Sequence, residues 1–176
     1  MGGAIAQTMA LTHPDRVLAL VLVGTGPELP VNSQLLDLLA AEPQIALEKI
    51  ARWSLSRSAD PGLLTASLEM ALSIPSARAL QEFTACKFFD VRHRIKDIAC
   101  PRFVIRGADD KMTPDALSQE FLTAWPDIPL FTIPKAGHLM MLEQPALFND
   151  ILETIKTRLE PGTEAHRSDA STPEIS

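Results

Sequence analysis

The sequence predicts an α/β fold, in which a parallel sheet is flanked by helices and carries an inserted helical segment. Apolar runs at residues 17–24, 103–107 and 129–134 predict strands, and helical patterns lie between and after them. This alternation favours parallel strands joined by right-handed crossovers. From Glu28 to about Asp90, aliphatic residues recur at three- and four-residue spacings, so we expect several short helices and no sheet there.

The first predicted helix covers residues 2–12, which are mainly small or helix-favouring. It ends before Pro14, because proline disfavours helical geometry in the residue that precedes it. The strand at 17–24 follows directly and stops at Gly24 and Gly26. Its unbroken apolar character is typical of a parallel strand that is covered on both faces.

The C-terminal half alternates strands and helices. The elements predicted after Pro101 are a strand, a helix, a strand and a helix, at residues 103–107, 114–125, 129–134 and 145–159. The tail that follows has almost no large apolar residue. Burial cannot offset the ordering entropy of such a segment, so we expect the tail to be disordered.

The composition indicates an ordinary globular protein. A formal net charge of −6 and a pI near 5.2 argue against nucleic acid or an anionic membrane as partner. No leader-like segment or long apolar run is visible, so a cytoplasmic location is expected. Cys86 and Cys100 show neither metal-type spacing nor the density of a disulfide scaffold, and we expect both to be buried thiols. The sequence shows no metal site or nucleotide loop, so no cofactor is expected.

An acidic pair, Asp109 and Asp110, follows the predicted strand that ends at Gly107. Ligands of open α/β folds bind at the carboxyl ends of the strands, so Asp110 is placed to orient a ligand or a second side chain. The alternative is a turn in which Gly and Asp are simply favoured and Thr113 begins the next helix.

His138 follows the next strand and lies on the neighbouring loop at the same end of the sheet. A carboxylate bonded to one imidazole nitrogen fixes the tautomer and leaves the other nitrogen free to accept a proton. Asp110 and His138 together therefore predict a general base. A single loop histidine is more often an ordinary hydrogen-bonding residue, and only the pairing distinguishes this one.

The N-terminus has two residues without bulk, Gly2 and Gly3, where a preceding strand would turn sharply into a helix. A strained nucleophile elbow requires such residues. In the pattern G-x-S-x-G, Gly2 would be the last glycine and Met1 the residue after the serine. The alternative is equally simple, because any reading frame starts with methionine and small residues often follow it.

These three regions together resemble the α/β-hydrolase superfamily, in its lid-containing subgroup of serine esterases and lactonases. The resemblance extends from residue 1 to about 159 and is carried by three segments. They are MGGAIAQTMALTHPDRVLALVLVGTG at the start, CPRFVIRGADDKMTP around the acid, and AGHLMMLEQPALFNDIL around the histidine. The last is the most specific, because Gly-His followed by Glu143, Pro145 and Phe148 recurs in this family as a block.

The resemblance implies a role for each matching residue. Asp110 would be the acid of a Ser-Asp-His triad, with Asp109 as its neighbour, and His138 would be the general base. The backbone N–H of Met1 would form half of an oxyanion hole. The serine itself is absent, since no G-x-S-x-G occurs in the 176 residues. We therefore expect Met1 to be an internal methionine of a longer hydrolase, and this chain alone to be inactive.

The implied substrate is a small ester or lactone with an apolar acyl or alkyl group. Dehalogenases, carbon–carbon bond hydrolases and cofactor-free oxygenases share the fold, and the visible motifs do not separate them. A different hypothesis is a non-catalytic protein that binds a small ligand or a partner. The resemblance divides the chain into the elbow helix and following strand, a helical lid, the C-terminal half of the core and the tail: residues 1–27, 28–90, 91–160 and 161–176.

Overall fold

A computed structural model describes residues 1–160, and the expected disordered tail lies outside them. Its three strands form one parallel sheet in the order β1-β2-β3. They are β1 Leu20–Val23, β2 Arg102–Gly107 and β3 Leu130–Ile133. The predicted α/β class and the parallel sheet are confirmed.

Eight α-helices flank or extend this sheet within the described residues. In chain order α1 to α8 they are Gly2–Thr12, Ser33–Ala41, Pro43–Trp53, Pro61–Ser73, Ser76–Lys87, Asp115–Ala124, Met140–Glu143 and Pro145–Leu159. Short 3₁₀ turns occupy Pro14–Arg16 and Ile95–Asp97. The predicted first and last helices match α1 and α8. The short helix α7, directly after the histidine, was not predicted.

Local sequence explains where several helices begin. The Asn32 carboxamide accepts the Gln34 N–H at 2.8 Å and caps α2, and the Asp60 carboxylate accepts the Gly62 N–H at 2.7 Å and caps α4. Prolines open α3, α4 and α8, where the missing N–H would have no partner within the helix. Helical periodicity alone would not have located these starts.

The core lies on both faces of the sheet. One cluster of buried side chains joins α1, β1, β2 and α6, and includes Leu20, Leu22, Val104, Phe121 and Trp125. The other joins β2, β3, α7 and α8, and includes Phe103, Ile105, Ile133, Met140 and Ile151. Since Val21 and Val23 pack against the second cluster, β1 is covered on both faces, as its apolar run predicts.

Helices α2 to α5, here called the four-helix segment, have an apolar cluster of their own. It is centred on the buried residues Leu39, Ala46, Leu47 and Ala51. At its two ends the segment is closed by an antiparallel bridge between Glu28 and Asp90. Residues 33–87 thus form four short helices and no strand, as the residue spacing predicts.

Two expectations differ from the structure. β1 is shorter than predicted, because its partner β2 begins at Arg102, opposite Leu20, and Leu18 before it is 89% exposed. Cys86 and Cys100 are free but only partly buried, contrary to the expectation of buried thiols. Cys86 lines an open groove beside α1, and Cys100 lies in the loop before β2. Within residues 1–160, no helix is both long and apolar enough to cross a membrane.

Candidate active site

The three strands end at the same edge of the sheet, and the loops after them carry the candidate residues. Gly24 follows β1, Asp110 lies in the loop after β2, and His138 lies in the loop after β3. The carboxyl ends of parallel strands are adjacent, so residues that are distant in sequence meet there. The parallel sheet therefore brings Asp110 and His138 close together, as the sequence predicts.

The Asp110 carboxylate is fully occupied by donors. Its Oδ1 accepts the backbone N–H groups of Met112 and Thr113 at 2.8 and 2.9 Å. Its Oδ2 accepts the Thr113 hydroxyl at 2.6 Å and lies 2.9 Å from Nδ1 of His138. Only 1% of the side chain is exposed. Such a carboxylate is held in one orientation.

Two opposing effects set the charge of Asp110. Burial raises the pKa of its carboxyl, while the hydrogen bond and positive charge of His138 and the hydrogen bonds from Thr113 lower it. The lowering effects prevail, so the pKa of Asp110 lies below its ordinary value. At neutral pH the group is therefore an anion that faces the imidazole.

His138 presents Nδ1 to Asp110, which leaves Nε2 outside this contact. With Nδ1 2.9 Å from the carboxylate, the favourable tautomer has Nδ1–H donating to Asp110. Nε2 then carries a lone pair and can accept a proton. The side chain is 30% exposed, so the ring is accessible from the loop side of the sheet.

Gly24 leaves space for the imidazole ring of His138. Its φ is +52°, in the left-handed region, and a Cβ atom there would lie 3.1 Å from Nδ1 of His138 and 3.3 Å from the methyl group of Met140. Only glycine adopts this conformation without strain. The sharp end of β1 thus makes room for the histidine.

A cavity of about 330 Å³ opens between this edge of the sheet and the four-helix segment. His138, Gly24 and Met1 line it together with a mainly apolar wall that includes Leu29, Val31, Leu35, Phe83, Met112 and Leu117. A larger groove of about 670 Å³ runs beside α1, but neither Asp110 nor His138 lines it. The smaller of these two cavities is therefore the one that His138 lines.

The other predicted residues make no direct contact with the imidazole. Asp109 is exposed and, with Asp110, Arg57 and Ser58, lines a second cavity on the other side of the loop after β2. Met1 caps α1, and its carbonyl accepts N–H groups of the first turn. Among residues 1–160, no cluster of three or more His, Cys, Asp or Glu side chains is placed to hold a metal ion.

Sequence reasoning missed two contributors to the pair. The sequence indicates only a helix start at Thr113, yet the hydroxyl and N–H of this residue both donate to Asp110. It indicates only a strand end at Gly24. The short Asp-x-x-Thr spacing was a visible signal for the first, whereas nothing in the sequence reports the contact between Gly24 and His138.

Comparisons with known proteins agree with this architecture. The sequence model of the Alpha/beta hydrolase family matches residues 1–151. The pimeloyl-acyl carrier protein methyl ester esterase of Salmonella paratyphi A is 27% identical in an alignment of length 177, which covers 90% of this chain and 68% of that esterase.

Solved structures give the same result at the level of coordinates. A thermophilic esterase superposes with a TM-score of 0.79 at 31% identity, covering 89% of this chain and 63% of the esterase. The enol-lactonase from Burkholderia xenovorans LB400 superposes with a TM-score of 0.80 at 20% identity, covering 89% of this chain and 63% of the lactonase, a likeness of fold. The chain thus spans slightly less than two thirds of these two structures.

Proposed function

The chain belongs to the α/β hydrolase family, and from that premise we propose that it supplies the acid and the base of a Ser-Asp-His triad that hydrolyses a small carboxylic ester or lactone. The observation that carries the proposal is the pairing of Asp110 with Nδ1 of His138 at 2.9 Å beside an apolar cavity. A buried, fully hydrogen-bonded carboxylate next to a partly exposed imidazole is how such a base is oriented.

In the proposed reaction, Nε2 of His138 takes the proton of a serine hydroxyl as its oxygen bonds to the substrate carbonyl carbon. The imidazolium then returns that proton to the leaving alcohol, and an acyl-serine remains. Water attacks this ester with the same proton transfers, which releases the acid and restores the serine. Asp110 stays ionised throughout and stabilises the imidazolium, consistent with its lowered pKa.

We propose that the nucleophile is a serine outside these 176 residues, since they contain no G-x-S-x-G pattern. Met1 lines the same cavity as His138, which supports placing the serine next to it and assigning the Met1 amide to the oxyanion hole. On this proposal the isolated chain has no esterase activity.

The substrate we propose is an ester with an apolar acyl or alkyl group. The cavity wall contributed by residues 28–90 is largely aliphatic and aromatic, and these residues would act as the lid over a core made of 1–27 and 91–160. The Salmonella relative is named for a methyl ester substrate and the thermophilic relative is an esterase, which favours ester hydrolysis over the other reactions of this fold.

A chimera tests this proposal. The part of the thermophilic esterase that precedes the matched region is fused to Met1, and hydrolysis of a short-chain aryl ester is measured. We expect the chimera to be active, and His138→Ala to lower its turnover by about a thousandfold or more. His13→Ala, at the exposed end of α1, and Asp109→Asn are matched controls that should leave turnover unchanged.

A folded chimera whose turnover is unchanged by His138→Ala would contradict the proposal. A folded chimera that binds aryl esters without hydrolysing them would favour the non-catalytic alternative, in which the cavity serves for binding only. Circular dichroism of each protein establishes that it is folded before activity is compared.

A further inference from the structure

The carboxylate of Glu143, the last residue of α7, is shared by two backbone donors from distant parts of the chain. The N–H of Gly137 donates to Oε1 at 2.7 Å, and the N–H of Ser56 donates to Oε2 at 2.9 Å. Gly137 immediately precedes His138, while Ser56 follows α3 in the four-helix segment. The Glu143 side chain therefore connects the histidine loop to Ser56, which lies 87 residues before Glu143 in sequence.

Further contacts hold the same two backbones together. The N–H of Leu139 donates to the carbonyl of Ser54 at 3.0 Å. A Cβ atom on Gly137 would lie 2.7 Å from the nitrogen of Ser56, so only glycine permits this approach. The residues on both sides of His138 are thus fixed against one short stretch of the four-helix segment.

The chemistry of Glu143 suits two donors at once. An ionised carboxylate offers an acceptor oxygen to each N–H, and hydrogen bonds to a charged acceptor are stronger than those between neutral groups. A glutamine has the same size but carries one oxygen and one NH₂ group. Its oxygen can accept from one of the two N–H groups, but its NH₂ group would then face the other N–H, donor against donor.

We propose that Glu143 is a positioning residue that sets the backbone of His138 against the four-helix segment, so that the imidazole meets Asp110. The orientation of the His138 ring depends on the two hydrogen bonds that Glu143 accepts. Any effect of Glu143 on turnover rests on the proposed function.

The test uses the full chain with Glu143→Gln and Glu143→Asp, the second keeping the charge but shortening the reach. NMR is used to measure hydrogen exchange at the amides of Gly137 and Ser56. The same experiments give the chemical shift and the exchange rate of the His138 Nδ1–H. We expect Glu143→Gln to accelerate exchange of at least one of these amides about tenfold, and the His138 ring signal to shift.

Two controls separate positioning from general loss of stability. Glu69→Gln removes an exposed carboxylate of α4, and Leu68→Ala weakens packing within the four-helix segment away from the loop. Neither should move the His138 ring signal. The proposal fails if that signal is unchanged in both Glu143 variants, or if Leu68→Ala shifts it equally.

The two proposals fail in different experiments. If the NMR result contradicts the role of Glu143, the activity of the chimera should still depend on His138. An inactive chimera, in turn, would leave the NMR result for Glu143 unaffected, since that result concerns ring orientation alone.

Discussion

Replacing Gly24 by alanine is expected to destabilise the protein by about 1 to 3 kcal/mol and to displace the His138 ring. The left-handed conformation, with φ at +52°, costs a residue with a Cβ atom roughly 1–2 kcal/mol. The new methyl group would also lie 3.1 Å from Nδ1 of His138, so the ring or the strand end must shift by a few tenths of an ångström. The lower chain entropy of alanine in the unfolded state offsets roughly 0.4–1 kcal/mol of the conformational cost, while the close contact with the ring adds about 1 kcal/mol.

Urea unfolding measures the free energy, and thermal melting gives a second reading. For a chain of this length, 2 kcal/mol corresponds to a Tm lower by about 4 to 8 °C. Gly2→Ala is the matched control, because a Cβ at Gly2 meets nothing within 4 Å, and we expect its stability to change by less than about 0.5 kcal/mol. Equal stability of the two variants would refute the account of Gly24 as a conformational requirement of the site.

Three further predictions concern charge and packing. Asp110→Asn should cost about 1–3 kcal/mol at pH 7 by urea unfolding. Because folding lowers the pKa of Asp110, its ionised form stabilises the fold above the ordinary value of 3.8, and this contribution is lost as the pH falls through the folded pKa. The difference between wild type and variant should therefore narrow as the pH falls below 3.8, and a constant difference would contradict the assignment. Phe121→Ala, at a fully buried ring stacked on Trp125, should cost about 3–5 kcal/mol by the same measurement; a cost below about 1 kcal/mol would be inconsistent with its burial. Arg92→Ala, which removes ion pairs with Glu28 and Asp90 at the surface, should leave the Tm nearly unchanged in thermal melting, and a clear drop would show that the bridge between these residues depends on them.

The strands could be predicted because buried parallel strands require continuous apolar sequence. The run at 103–107 gave β2 to within one residue, since it is enclosed by both core clusters. The run at 17–24 gave a strand that is too long, because strand length depends on where the partner begins. That partner is set by tertiary structure, which local pattern does not contain.

The proximity of Asp110 and His138 was predictable for a related reason. Each follows a strand, and the loops at the carboxyl ends of neighbouring parallel strands are adjacent. The orientation of the pair was not predictable, because it depends on contacts such as Ser56 with Glu143 that join distant segments. Cys86 shows the same limit: the lack of metal-type or disulfide spacing predicted a buried thiol, whereas the residue is only partly buried and lies on an open groove.

In the proposed triad, Asp110 fixes His138 as a base with a free Nε2. Nitrogen-15 NMR of the imidazole in the 176-residue chain, at a pH where the ring is neutral, reports this arrangement directly. We expect a protonated Nδ1, with its proton shifted to low field by Asp110, and an unprotonated Nε2; Asp110→Asn should abolish the low-field signal. A neutral ring protonated at Nε2, or a ring signal unaffected by Asp110→Asn, would contradict the account.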